Sequence, residues 1–239
     1  MNSMEILTEG AKALGLSLTD RQIHQFITYK ELLLEWNEKM NLTAITDEKE
    51  IMMKHFLDSL SCASIDKLKS HVKIIDVGTG AGFPGIPLKI YYPDLSLTLL
   101  DSLNKRIHFL REVCSRLELS RVEFVHGRAE DFGANKHYRE KYDIAVARAV
   151  AELNVLSEYC LPFVKVGGYF ICQKGPSIDE EMERGKKAIE LLGGKVVERK
   201  DILLPFSDIT HNIVVIEKVK ITPTKFPRKA GMPTKKPLA

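Results

Sequence analysis

Apolar positions fall along this chain in two different rhythms. Through the first 65 or so residues they recur mostly at three- and four-residue intervals. In "LTDRQIHQFITYKELLLEWNEKMN", Ile23, Phe26, Ile27, Leu33, Leu34 and Trp36 make one stripe of an amphipathic helix. Thr19 or Asp20 can cap its start. "DEKEIMMKHFLDSLSCASI" predicts a second helix with Ile51, Met52, His55, Phe56 and Leu60 turned inward. From Val72 the rhythm changes, and short β-rich runs alternate with helical ones. "VKIIDV", "SLTLLD", "RVEFVH", "YDIAVA", "GGYFICQ", "KVVERKDIL" and "HNIVVIEKV" predict strands. "NKRIHFLREVCSRLEL" and "SIDEEMERGKKAIELLGG" predict helices, the latter with Ser177 and Glu180 at capping-box spacing and Gly193 as a stop. This alternation predicts an α/β fold, a mostly parallel sheet covered by helices on both faces. The last two strand runs have too little between them for a helical crossover. They should be antiparallel neighbours, so that one late strand runs against the rest. The expected organisation is a helical extension over residues 1–65, an α/β domain over 66–219 and a tail over 220–239. Pro223, Pro227, Pro233 and Pro237 keep that tail extended.

Composition changes this picture little. The chain is 44% hydrophobic and 28% charged, as in ordinary globular proteins. No run approaches the roughly 20 apolar residues that span a bilayer, and the N-terminus does not read as a signal peptide. Cys62, Cys114, Cys160 and Cys172 have no paired spacing, which predicts free thiols in a reducing cytoplasm. The seven histidines have no ligand spacing, and no metal is expected. Charge matters more. The net charge is +3, but residues 218–239 hold seven Lys and Arg and no acid, so residues 1–217 stand at −4. A basic tail on a mildly acidic body suits either a polyanionic partner or a solubilising extension.

The strongest chemical signal is "IIDVGTGAGFPGIPL", residues 74–88. An apolar strand ends at Asp76-Val77 and Gly78, Gly80 and Gly82 follow. Glycines at a strand's carboxyl end permit positive φ and leave no Cβ between backbone and ligand. A dinucleotide fingerprint is GxGxxG, and its third glycine would stand where this chain has Phe83. That favours a ligand without a pyrophosphate. Asp101 ends the next strand, 19 residues beyond Gly82, where a carboxylate can accept both ribose hydroxyls. "GRAEDF" follows the third strand, where Glu130 and nearby amides can meet an adenine edge. A glycine turn, a ribose acid and an adenine acid after three successive strands fit S-adenosylmethionine.

At this point the motifs resemble a known family. "WNEKMNLTAIT", "KHFLDSL", "DVGTGAGFPGIPL", "LLDSLNKRIHFL", "GRAEDF", "ARAVA" and "FPRKAGMPTKKPL" are similar to segments of the bacterial small-subunit ribosomal RNA methyltransferase G family, also called glucose-inhibited division protein B. They are spread over nearly the whole chain. The resemblance implies a Rossmann-like class I methyltransferase fold with a seven-stranded sheet. It also implies N7 methylation of one guanine in a decoding-region loop of 16S ribosomal RNA, with S-adenosylmethionine as donor. By the same carry-over, Gly78, Phe83, Ala129, Glu130 and Arg148 touch the donor, beside Asp76, Gly80, Gly82 and Asp101 of the glycine turn and second strand.

The residues agree with that chemistry. Guanine N7 has an in-plane lone pair and no proton, so its methylation needs no general base, only in-line positioning. No cysteine motif for attack on pyrimidine C6 is evident, and "ARAVA" stands where an exocyclic-amine enzyme would carry an NPPY-type motif. Arg148 follows an apolar strand at the carboxyl edge, where it can grip a phosphate or guanine O6 or make a structural ion pair. Arg128 is a second candidate for RNA. Asn41, His55, Asp58 and Ser59 can line the RNA side, although His55 and Asp58, three apart, suit an internal helix pair equally well. Lys225, Arg228, Lys229, Lys235 and Lys236 are expected to bind RNA phosphates. The expected partner is 16S ribosomal RNA or the small ribosomal subunit, met by a monomer away from membranes. A nicotinamide oxidoreductase, a methyltransferase for another acceptor and a non-enzymatic assembly factor are the competing readings.

Overall fold

Capping boxes start both opening helices. In α1 (Ser3–Ala13) Asn2 accepts the Glu5 amide while Glu5 reaches back to the Asn2 amide. Thr19 and Gln22 do the same for α2 (Asp20–Met40), which ends at Asn41 in the left-handed region. These elements come from a computed structural model that describes residues 1–238 apart from Ala149, Val150 and Ser177. The Ser177 cap and the middle of "ARAVA" therefore lie outside the described residues. The predicted second front helix is a continuous rod of changing pitch. It runs through α3 (Glu48–Ile51), a π-helical turn (Met52–Leu57), α4 (Asp58–Ser61) and a 3₁₀ turn (Cys62–Ser64).

Strands and helices then alternate. They are β1 (Lys73–Val77), α5 (Gly85–Tyr91), β2 (Ser96–Asp101), α6 (Asn104–Arg116), β3 (Val122–His126), α7 (Ala129–Ala134), β4 (Tyr142–Arg148) and α8 (Leu153–Cys160). β5 (Val164–Lys174), α9 (Asp179–Leu191), β6 (Gly194–Leu203), β7 (Thr210–Lys218) and a short α10 (Met232–Lys235) complete the chain. The sheet order is β3-β2-β1-β4-β5-β7-β6. β7 is antiparallel to β5 and β6, and the other pairs are parallel. Every predicted run is a strand, and the late reversed strand is β7. Strand order reverses at β1, between β2 and β4, which opens a crevice beyond their carboxyl ends.

Alternate strand residues feed two cores, as the two-residue period requires. Ile74 and Val146 join the core under α1, α2, α5 and α6. Ile75 and Ala145 join the one under α8 and α9. The front helices share the first core with the sheet. Tyr29 stacks on Phe83 at 5.5 Å and on Phe56 at 5.2 Å. Burying an aromatic such as Phe26 or Phe56 contributes about 1.5–3 kcal/mol.

The tail runs through a series of turns and the short α10, and it is docked along its length. Phe226 is buried in the second core. Arg139 donates to the carbonyls of Thr222 and Phe226 at 2.6 and 2.7 Å. Arg228 clamps Glu158, a fully buried carboxylate, with Nη2 2.6 Å from Oε2. Lys218, one of the seven cations in the basic segment, is buried and donates to Leu161 O and Thr222 Oγ1. Burial pulls its pKa down to about 8.

Candidate active site

The glycine turn follows β1 with Gly78, Gly80 and Gly82 at φ 72°, 62° and 102°. Their roles differ. A Cβ on Gly78 would meet nothing within 4 Å, so this backbone faces open space, whereas one on Gly82 would press on Tyr29 Oη and Ile86. Gly82 thus allows close packing against Tyr29 of α2 and Ile86 of α5. Asp76 also turns away from the ligand side. It is fully buried, and Oδ2 accepts from Thr79 Oγ1 at 2.7 Å and the Gly85 amide at 2.8 Å. Burial pushes its pKa up to about 7 in spite of those donors. Asp76 braces the turn from beneath.

Asp101 ties the turn to β2. Its Oδ2 accepts the Gly80 amide at 2.9 Å, and its Oδ1 accepts the Leu103 amide at 2.9 Å. A cavity of about 250 Å³ opens here, lined by Gly78, Asp101, Arg128, Ala129, Glu130 and Tyr159 among others. Four residues named for the donor therefore meet at one place, with Gly80 joined to them through Asp101. Arg128, named for RNA, stands on this cavity instead.

Arg148 and Phe83 belong to a neighbouring site. Phe83 is buried in the aromatic cluster, where His55 stacks on it at 4.6 Å and the Arg148 guanidinium lies over its ring at 4.7 Å. Its bulk supports Arg148 and does not line the first cavity. Arg148 lines a second cavity of about 480 Å³ with Lys54, His55, Asp58, Gln173 and His211. Its Nη1 donates to Asp58 Oδ2 at 3.2 Å and Lys54 O at 3.1 Å, and its Nη2 lies 3.2 Å from His55 Nδ1. Since a guanidinium only donates, Nδ1 accepts and the ring proton sits on Nε2, facing Thr43 Oγ1 at 2.8 Å. His55 and Asp58 do not bond each other; both serve Arg148. The π-helical turn carries Lys54 and His55 to this cavity. Ser59 is excluded from the cavity: it is fully buried, and its hydroxyl donates to His55 O of its own helix at 2.6 Å. Asn41 is exposed at the end of α2.

Electrostatics differentiate the two histidines. Burial, reinforced by Arg148, lowers the His55 pKa to about 4, so it is neutral at pH 7. His211 Nδ1 donates to Asp58 Oδ1 at 2.6 Å, and that hydrogen bond raises its pKa. Gln173 Nε2 donates to the Asp58 carbonyl at 2.6 Å. Sequence reasoning missed Gln173 and His211. Their one local signal is a polar residue at the end of "GGYFICQ" and the start of "HNIVVIEKV". In the tail, Lys225, Lys229, Lys235 and Lys236 are exposed. Arg228, unlike these lysines, is paired with buried Glu158.

A seven-stranded sheet of this order, with β7 reversed and a glycine turn after its first strand, makes this a class I methyltransferase. Solved structures share the fold. A Methanococcus jannaschii fibrillarin, a pre-rRNA processing protein, aligns with a TM-score of 0.52 at 24% identity over 65% of this chain and 70% of that one. M. jannaschii TYW2, solved in complex with AdoMet, aligns at 0.50 and 17% identity over 62% and 68%. The particular family follows from sequence. The model of the GidB family, rRNA small subunit methyltransferase G, matches residues 22–205, and the chain belongs to that family. A ribosomal RNA small subunit methyltransferase G of Alkaliphilus metalliredigens is 66% identical over 238 residues, covering 100% of both chains.

Proposed function

We propose that this methyltransferase uses S-adenosylmethionine to methylate N7 of one guanine in a decoding-region loop of 16S ribosomal RNA. The observation that carries the reading is that β1 and β4 are paired neighbours, β1 leading into the glycine turn on the first cavity and β4 ending at Arg148 on the second. Gly82 ends the glycine turn, and the next residue, Phe83, is the platform under Arg148 in the second cavity. The relatives are named for small-subunit ribosomal RNA, and one fold neighbour is described in complex with AdoMet.

The residues fit that donor. The open side of Gly78 lets the backbone approach it closely. Among the described residues Asp101 Oδ1 accepts only the Leu103 amide, which leaves a lone pair for a ribose hydroxyl. Glu130 offers a carboxylate to an adenine amine. Bound there, the donor supplies an electrophilic methyl on a sulfonium. The protein's remaining task is to hold guanine. The N7 lone pair needs no base to free it, so the second cavity has only to orient the ring and exclude water. Arg148, fixed by Asp58 and stacked on Phe83, offers donors to guanine O6 or a phosphate. Neutral His55 holds that guanidinium without adding a second positive charge beside a base that becomes cationic. A single-stranded guanine splayed from its loop reaches such a pocket. Exposed Lys225, Lys229, Lys235 and Lys236 meet flanking phosphates.

The test uses radiolabelled S-adenosylmethionine with small subunits, and with naked ribosomal RNA, from cells lacking the enzyme. Borohydride and aniline then cut the RNA at 7-methylguanosine. Label with one new cut is the expected result. Label without a cut overturns the N7 assignment, and no label on either RNA overturns the acceptor.

A further inference from the structure

The tail touches the donor cavity at two points that the reaction above leaves unexplained. The Gly231 amide donates to Glu130 Oε1 at 2.8 Å. The Thr234 hydroxyl lies 2.8 Å from Tyr159 Oη. Glu130 and Tyr159 both line the cavity. Glu130 is only 5% exposed, and a carboxylate that buried turns to where its donors are. Oε1 is taken by the tail. Among the described residues no protein group bonds Oε2, which is left for a ligand.

The tail is held firmly enough to act in this way. Gly231 sits at φ 81° and ψ −11°, the left-handed region that favours glycine. Three residues earlier, the Arg228 amide and Nε meet Glu158 Oε1 at 2.8 and 2.9 Å, and its Nη2 meets Oε2 at 2.6 Å. Glu158 is fully buried, so this anchor is not a surface ion pair. At the far end Asn154 Nδ2 donates to Leu238 O at 2.9 Å. α8 carries Asn154, Glu158 and Tyr159, and so supplies both the anchors and one wall of the cavity.

We propose that residues 226–238 are a strap that completes the donor site, in which the Gly231 amide is the positioning group that aims Glu130 at the donor's adenine amine. This rests on the donor reading above. The strap's lysines face solvent while its Gly231 amide faces Glu130 on the cavity wall, so one segment would serve RNA with its side chains and the donor with its main chain. Donor and strap are then thermodynamically linked, and donor binding tightens strap docking by the same factor that docking tightens donor binding.

The experiment measures S-adenosylmethionine affinity by calorimetry for the full chain and for Gly231→Ala and Thr234→Val. A methyl on Gly231 meets nothing within 4 Å, so it disturbs only the backbone angle that presents the amide. We expect affinity to fall about ten-fold in Gly231→Ala, the loss of one hydrogen bond to a charged group, and less in Thr234→Val. The KM for the donor should rise while the KM for ribosomal RNA stays. In the wild-type chain, saturating donor should slow tryptic cleavage after Lys229, a readout independent of any variant's folding. Unchanged donor affinity in both variants, or a cleavage rate indifferent to the donor, overturns the strap. A wild-type chain that binds no S-adenosylmethionine overturns the donor reading instead, before any variant is compared.

Discussion

Arg148 is fixed by partners that a lysine could not satisfy together. Its planar guanidinium reaches Asp58, the Lys54 carbonyl and His55 while lying flat on Phe83. An ammonium is a point charge without that fork or that face. Arg148→Lys should therefore lower kcat/KM on ribosomal RNA by about 100-fold, the cost of misplacing a reacting group by an ångström. Donor affinity should stay near wild type, because Arg148 lines the other cavity; steady-state kinetics with calorimetry checks both. His55 predicts a pH effect on stability. Its folded pKa of about 4 lies below the ordinary 6.5. Between those values the unfolded chain binds the proton and the folded chain does not. Stability is full above pH 6.5 and falls by about 3 kcal/mol as pH drops towards 4. His211 has the opposite sign: its raised pKa adds stability that is present below 6.5 and lost as pH climbs through the folded value. Urea unfolding at pH 7 and pH 5 should show the acid loss in the wild-type chain and a flatter profile in His55→Asn.

At the level of elements, the strands are legible because short β-rich runs and amphipathic helices repeat within each unit, and the reversed β7 follows from a connection too short for a crossover. The π-helical turn is not legible. It shifts the bonding by one residue within "MMKHFL", a change that apolar spacing over two turns cannot register. Gln173 and His211 escape for another reason. They come to Asp58 from strands more than a hundred residues away in sequence, and only sheet order brings them there. Asp76 and Gly82 were legible as parts of a glycine turn but not as its foundation, since burial is a property of the packed fold. The tail's docking was equally hidden, because prolines and lysines carry no period. Its anchor makes a prediction. Arg228→Ala leaves the Glu158 carboxylate buried without its cation and should cost about 3–5 kcal/mol. Removing both charges in Glu158→Gln with Arg228→Ala should cost less than Arg228→Ala alone. Denaturant melts of the single and double variants decide this, and equal losses would mean that the ion pair is incidental to docking.

Across the whole molecule, charge and shape act together. The body is net acidic and the exposed tail lysines stand on a docked segment, so on the proposed reading RNA would meet a basic edge already held in place. Little ordering entropy is then lost when phosphates bind, unlike for a free arm. The share of affinity that comes from these lysines can be read from salt. Of the five tail cations assigned to phosphate, Arg228 is paired with Glu158, which leaves Lys225, Lys229, Lys235 and Lys236 as the exposed candidates. Each contact releases counterions and steepens the fall of log affinity with log salt by about 0.7–0.9. Replacing all four by glutamine should therefore flatten that slope by about 3 and weaken binding most at low salt. Filter binding to 16S ribosomal RNA across a salt series measures it. A slope indistinguishable from wild type would move the phosphate contacts off the tail and leave the strap's inward face as its whole role.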